Sequence, residues 1–233
     1  MAKIDLIAFA ALDEPLEQKR ISLFLDSIFN QTNKNFLLYF LDCGDESFKI
    51  RRFPSNFVYI RLNEHLQGKD WAPSYIRNLG SLMGNSPFLC HLNSDNVYAP
   101  NFVETIVKNL DENVLVLCQR KNTSFEQFIK ISTIEDAYQL APSLQWHTKA
   151  CCGDCQALSR ELFIKIGGYY GLIENGKCIF PSLRQYYKED TWLSKLFNRE
   201  PHLKEIWVTG QTYMVHLFHA EREKIKSWHR RRR

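Results

Sequence analysis

No stretch of this 233-residue chain approaches the roughly 20 consecutive apolar residues that a helix needs to cross a bilayer. The first apolar run, Ile4 to Ile7, contains Asp5 and leads straight into patterned sequence, which is not how a signal peptide is built. Glycine is sparse, and no G-x-G-x-x-G follows an expected strand, which excludes a dinucleotide-binding dehydrogenase. The segment Ala8-Phe9-Ala10-Ala11-Leu12-Asp13-Glu14 is acidic and has no glycine. It therefore lacks the basic, glycine-rich phosphate loop of an enzyme that makes sugar nucleotides. Seven cysteines, an odd number without framework spacing, fit a reducing compartment, so the cytoplasm is the expected location. A formal charge of +4 is too small to imply nucleic acid as a partner. Internal repeats and low-complexity linkers are missing too, and one domain spanning 1–233 is the expectation.

What is present is ordinary for a globular protein, with 45% hydrophobic and 24% charged residues. Part of the positive charge sits in Arg230 to Arg233, at the end of a basic tail over 221–233 that also holds Trp228. Such a cluster can rest peripherally on anionic lipid at the inner face of a membrane, each basic residue adding about 1 kcal/mol. The alternative is a solvated, frayed terminus.

Apolar runs and amphipathic segments alternate over the first 120 residues, the pattern of βα units around a mostly parallel sheet flanked by helices. Strands are expected at Ile4–Phe9, Phe36–Leu41, Phe57–Leu62, Phe88–Leu92 and Val114–Leu117, and helices at Pro15–Phe29, Pro73–Met83 and Asn101–Leu110. The half spanning 121–220 reads as a helix over Ser124–Leu140, a strand over Cys152–Leu158 and a helix over Arg160–Ile166 stopped by Gly167-Gly168. A loop containing Gly171, Gly176 and Pro181 then leads to a helix from Glu189 and a late strand at Ile206–Val208.

The sequence Asn93-Ser94-Asp95 directly follows the apolar run Phe88–Leu92. A strand ending there projects its carboxylate from the edge of a sheet, where open α/β sheets bind ligands. Other signals stand in order around it. Leu25-Asp26-Ser27-Ile28 with Gln31-Thr32 precedes Leu41-Asp42-Cys43-Gly44-Asp45-Glu46-Ser47, and Arg77-Asn78 with Gly80 lies on an expected helix. Downstream come Gly153-Asp154-Cys155-Gln156 with Phe163 and Gly167-Gly168-Tyr169, and then Glu189-Asp190. In this order the stretches resemble the family-2 glycosyltransferases of the GT-A (nucleotide-diphospho-sugar transferase) fold, with a galactosyltransferase-like acceptor-side segment.

That resemblance implies an inverting transferase that moves a sugar from a nucleotide-sugar donor, UDP-linked, to a hydroxyl of a glycan or lipid-linked acceptor. Residues 1–120 become the nucleotide-sugar half and 121–220 the acceptor half. The donor would meet Ala8, Asp42, Asp45, Arg77, Asn93 and Ser94. Mn²⁺ or Mg²⁺ would be held by Asp95 with His216 or His219, and would act as a Lewis acid on the leaving diphosphate. Asp190 would be the general base and Glu189 its companion, while Gly153, Asp154 and Trp192 would meet the acceptor. The family's first acidic position of "DxD" is Asn93 here, and the second acid of its nucleobase pair is Cys43. Both departures also fit a non-catalytic GT-A domain that binds nucleotide or glycan as a subunit.

Blander readings stand beside these. Asp42 and Asp45 suit turns around Gly44; Arg77 suits a solvated helix face; Asp190 suits a capping acid. His216 and His219 suit packed or surface positions. Cys151, Cys152, Cys155 and Cys178 invite zinc, yet the second close pair that structural zinc sites use is missing, and ordinary buried thiols compete.

Overall fold

The first strand shows how the sequence builds both faces of the sheet. In β1 (Ile4–Ala10), Ile4, Leu6, Ala8 and Ala10 enter one apolar cluster while Ile7 and Phe9 enter another. Side chains alternate across a pleated strand, so a strand buried on both faces reads as one apolar run. The structure is a computed structural model and describes residues 4–10, 15–43, 54–62, 73–147, 154–179 and 189–218. Among these residues no helix is long and apolar enough to cross a membrane.

Seven strands form the central sheet. Besides β1 they are β2 (Phe36–Asp42), β3 (Phe57–Arg61), β4 (Phe88–Leu92), β6 (Val114–Leu117), β8 (Cys155–Ser159) and β11 (Lys204–Trp207), in the order β11-β6-β8-β4-β1-β2-β3. All pairings are parallel except those of β8, which runs antiparallel between β4 and β6. This is the mostly parallel α/β sheet that the alternating pattern predicts, and strands from both halves of the chain share it.

Helices α1 (Pro15–Phe29) and α3 (Phe102–Lys108) pack on one face through Ile21, Phe24, Ile28, Phe102 and Ile106. Helices α2 (Pro73–Met83), α6 (Arg160–Lys165) and α7 (Glu189–Phe197) cover the other through Ile76, Phe163, Leu193 and Phe197. Gly80 lets α2 lie close to the sheet: a Cβ there would stand 2.6 Å from Ile7 Cγ2.

Ser124–Leu140 is two helices rather than the single one expected. Helices α4 (Phe125–Lys130) and α5 (Ile134–Leu140) each start with their own capping box, Ser124 with Gln127 and Thr133 with Asp136. The second box supplies partners to backbone N–H groups at Thr133 and Asp136, so the chain restarts instead of continuing. The expected loop around Gly176 is a hairpin, β9 (Ile173–Glu174) with β10 (Lys177–Cys178). Asn175 and Gly176 turn it with φ of 51° and 71°, as an Asn-Gly hairpin requires.

A three-stranded sheet was also not expected. It consists of β5 (Asn96–Tyr98), β12 (Met214–His216) and β7 (Arg120–Asn122), with β12 in the middle.

Candidate functional site

The central sheet reverses its order at β1. From β1 the chain proceeds outward to β2 and β3, then returns to place β4 on the other side of β1. In open α/β sheets the ligand crevice lies beyond the strand ends at such a switch point. Those ends carry Ala10, Asp42 and, after Leu92, Asn93-Ser94-Asp95.

Ser94 is buried, and its hydroxyl donates to the Phe9 carbonyl at 2.8 Å, which fastens the end of β4 to that of β1. Asn93 is bound at both ends of its amide. Its Oδ1 accepts from Arg77 Nη2 at 2.5 Å, and its Nδ2 donates to Asp154 Oδ1 at 2.7 Å. Arg77 is 1% exposed, so it is not a solvated helix face. Its guanidinium carbon stands 5.4 Å from the Phe9 ring centroid and 5.9 Å from that of Tyr169.

Asp95 meets His216, with Oδ2 3.2 Å from Nε2. Pairing brings them together: His216 on β12 is opposite Asn96 on β5, and the Leu217 N–H donates to the Asp95 carbonyl. A carboxylate and an imidazole converging in this way would give a divalent cation two ligands from the protein. Among the described residues no group of three His, Cys, Asp or Glu side chains is arranged for a metal. The zinc reading gains nothing, since Cys155 is buried in the core and Cys151 and Cys152 lie outside the described residues.

Asp42 is fully buried; its carboxylate accepts from the Tyr59 hydroxyl and lies 3.5 Å from Arg61 Nη1. Ala8 is fully buried in the cluster facing α1. Trp192 is half-buried and packs on Tyr169 and Tyr170, with ring centroids 6.3 Å and 5.6 Å away. Glu189 and Asp190 open α7, but their side chains lie outside the described structure, as do Asp45, Gly153 and His219 altogether.

Asp154 is fully buried, and Arg120, Asn93 and Asn96 all bond to its carboxylate. Arg120 Nη1 reaches both of its oxygens, at 3.1 Å and 3.0 Å. Tyr98 completes the group: its hydroxyl donates to the Asp154 carbonyl at 2.7 Å and accepts from the Asn93 N–H at 3.1 Å. Burial and the Asp154 carboxylate push its phenol well above the usual range, so it stays protonated. Arg120, Asn96 and Tyr98 escaped the sequence reading because each belongs to a three-residue strand too short to show a period.

Behind Arg77 lies a second buried network. His91 on β4 contacts Ser81 Oγ through Nε2 at 2.8 Å and the Tyr169 hydroxyl through Nδ1 at 2.9 Å, and that hydroxyl also bonds to Gln156. Burial, followed by the Arg77 and Arg160 charges, holds the imidazole well below its ordinary pKa. Asn78 ties α2 to the downstream loop, its Oδ1 accepting from the Tyr169 N–H at 2.9 Å. Gln31 clips the end of α1 to the segment after β5, donating to the Ala99 carbonyl at 2.8 Å and accepting from the Val103 N–H at 2.9 Å. The signals at Gln31 and Asn78 are thus scaffold residues, each spanning two elements.

Known proteins share the family pattern and the fold. The model of the family described as glycosyl transferase family 2 matches residues 13–167. The crystal structure of S. aureus TarS 1–349 has the same fold at a TM-score of 0.54 and 12% identity, over 91% of this chain and 60% of that one. The structure of the same TarS segment in complex with UDP gives 0.53 and 13%, over 89% and 60%. This chain therefore spans about three fifths of the length of those structures. No curated protein matches it.

Proposed function

The chain belongs to glycosyl transferase family 2, and on that premise we propose that it transfers a sugar from a nucleotide-sugar donor, UDP-linked, to a hydroxyl of a glycan or lipid-linked acceptor. One observation carries the reading. A guanidinium held on Asn93 and a carboxylate–imidazole pair at Asp95 and His216 stand together at the strand ends where the sheet order reverses. The TarS structure with UDP, on the same fold, supports the choice of nucleotide.

In this reading the permanent positive charge of the buried Arg77 favours the approach of the diphosphate. Asp95 and His216 would hold a Mn²⁺ or Mg²⁺ ion, which supplies Lewis-acid neutralisation of the leaving group when bound. The acceptor oxygen forms the new bond to the anomeric carbon as the bond to the diphosphate oxygen breaks. The released electron pair stays on the diphosphate, and Asp190 takes the hydroxyl proton. Attack opposite the leaving group inverts the configuration. The family match ends at residue 167, so the base role of Asp190 rests on the Glu189-Asp190 signal and its place in the first turn of α7. There the helix dipole favours a carboxylate.

Thermal stability with UDP, GDP or CMP, each with and without Mn²⁺, tests the reading. A ligand binding only the folded state at a hundredfold excess over Kd adds about 2.7 kcal/mol. The expected result is a metal-dependent rise with UDP. An Asp190→Asn variant should keep that rise while losing roughly 10²–10⁴-fold in turnover. No rise with any nucleotide, with acceptor also supplied, would favour a non-catalytic domain.

A further inference from the structure

Asn93 replaces the acid expected at the start of the Asn93-Ser94-Asp95 signal, and its surroundings give the reason. We propose that Asn93 is a positioning residue: a neutral strut between the Arg77 guanidinium and the Asp154 carboxylate, at a position where that carboxylate excludes an acid. The clause concerning nucleotide rests on the functional reading above; the clause concerning exclusion does not.

The amide orientation is dictated by its neighbours. Arg77 offers only donors and the Asp154 carboxylate only acceptors. The oxygen must therefore face Arg77, at 2.5 Å, and the nitrogen must face Asp154, at 2.7 Å. The asparagine amide supplies an acceptor on one side and a donor on the other while remaining uncharged. An aspartate would put a second carboxylate oxygen at hydrogen-bond distance from Asp154 Oδ1, with no proton between them, in a place where Asp154 is fully buried. Like charges this close strongly disfavour joint ionisation.

Asp154 is itself fixed by Arg120 Nη1 and by Asn96 Nδ2, so it cannot swing away without giving up those bonds. The strut thus couples α2, through Arg77, to the start of β8, through Asp154. It sets where the guanidinium stands without adding negative charge beside it. A carboxylate at position 93 would set one more negative charge 2.5 Å from Arg77 and oppose the approach of a diphosphate.

A charge-swap series decides this, read by thermal unfolding and by UDP titration with Mn²⁺. Asn93→Asp, which restores the family's acid, is expected to lower Tm by about 5 °C or more. Asn93→Ser, smaller but neutral, should lose less than that. The exchange Asn93→Asp with Asp154→Asn removes the carboxylate pair but also takes from Arg120 its buried partner, so its reference is Asp154→Asn alone. Added to Asp154→Asn, Asn93→Asp should cost much less Tm than it costs the parent. UDP affinity of the exchange should nevertheless stay roughly tenfold or more below that of Asp154→Asn, since a carboxylate now faces Arg77. Asn93→Asp as stable as the parent, or one that costs Asp154→Asn as much Tm as it costs the parent, overturns the exclusion by Asp154. An exchange with the UDP affinity of Asp154→Asn overturns the positioning of Arg77. If the parent bound no nucleotide, the functional reading and the Arg77 clause would fall together, while the Tm series would still decide the exclusion.

Discussion

At the scale of single residues, the molecule buries charge at two opposite ends of its sheet for different ends. At the amino end of β1, Asp5 is fully buried and bonds Arg160 Nη2 at 2.5 Å, the Ser86 hydroxyl at 2.6 Å and the Ser86 N–H at 3.1 Å. Arg160 in turn donates to the carbonyls of Ser86 and Ser81. Every strong polar group there finds its partner inside the protein, far along the strand from the crevice. Removing one partner of such a pair strands the other charge in a medium that cannot solvate it. Asp5→Ala is accordingly expected to cost about 3–5 kcal/mol in denaturant unfolding, with nucleotide affinity of the remaining folded protein unchanged. At the carboxyl end, Asp154 is equally buried, but its bonds run to residues that surround the crevice. Asp5 was legible only as an acid inside an apolar run, because its partner lies 155 positions away.

Elements show why some signals in the chain are scaffold rather than chemistry. Helix α2 carries Arg77, Asn78 and Gly80 within one turn, and each works on a different neighbour: the strut at Asn93, the loop at Tyr169 and the sheet at Ile7. Helical spacing alone placed all three correctly on one helix, yet could not tell which of them faced a ligand. Gly80→Ala puts a Cβ 2.6 Å from Ile7 Cγ2 and 3.0 Å from Leu41 Cδ1, so the Ile7 side chain must turn away or α2 must lift from the sheet. Overpacking of this kind costs about 1–3 kcal/mol. Because Arg77 rides on the same helix, Gly80→Ala should also weaken UDP binding several-fold, which parallel unfolding and titration measurements would reveal; a loss of stability with unchanged binding would show that Arg77 holds its place independently of the helix. The hairpin at Asn175-Gly176 makes the opposite point. The sequence reading took Gly176 only as part of a loop, because two-residue strands leave no periodic trace for a pattern reading to catch.

Across the whole molecule, the buried His91 network links α2, β4, β8 and the loop after α6, and it makes stability depend on pH. In the folded protein burial keeps the ring neutral at pH values where a free imidazole, with an ordinary pKa near 6.5, takes up a proton. The unfolded chain therefore binds more protons than the folded one below that value, and folding stability falls as the pH falls. His91 should contribute its full share above about pH 7 and lose it progressively as the pH falls through the ordinary imidazole range. Urea unfolding between pH 7.5 and 5 should show that slope, and His91→Gln should flatten it. An unchanged slope in the variant would assign the dependence to other groups.

Local pattern was enough for the central sheet and its large helices, because a strand buried on both faces is apolar over most of its length and a helix on a sheet is apolar every three or four residues. Pro15–Phe29, Pro73–Met83, Phe88–Leu92 and Val114–Leu117 are bounded as the sequence predicts. The order of motifs along the chain also pointed to family and fold. Tertiary structure alone decided which side chains meet. Asp95 finds His216 across 121 positions, and Arg120 finds Asp154 across 34, through short strands whose stability comes from backbone pairing with distant partners. Such strands have no sequence period of their own, since the energy that forms them is not local. That is why Asn93 reads in the sequence as a lost acid, while in the fold its amide joins a cation to a buried anion.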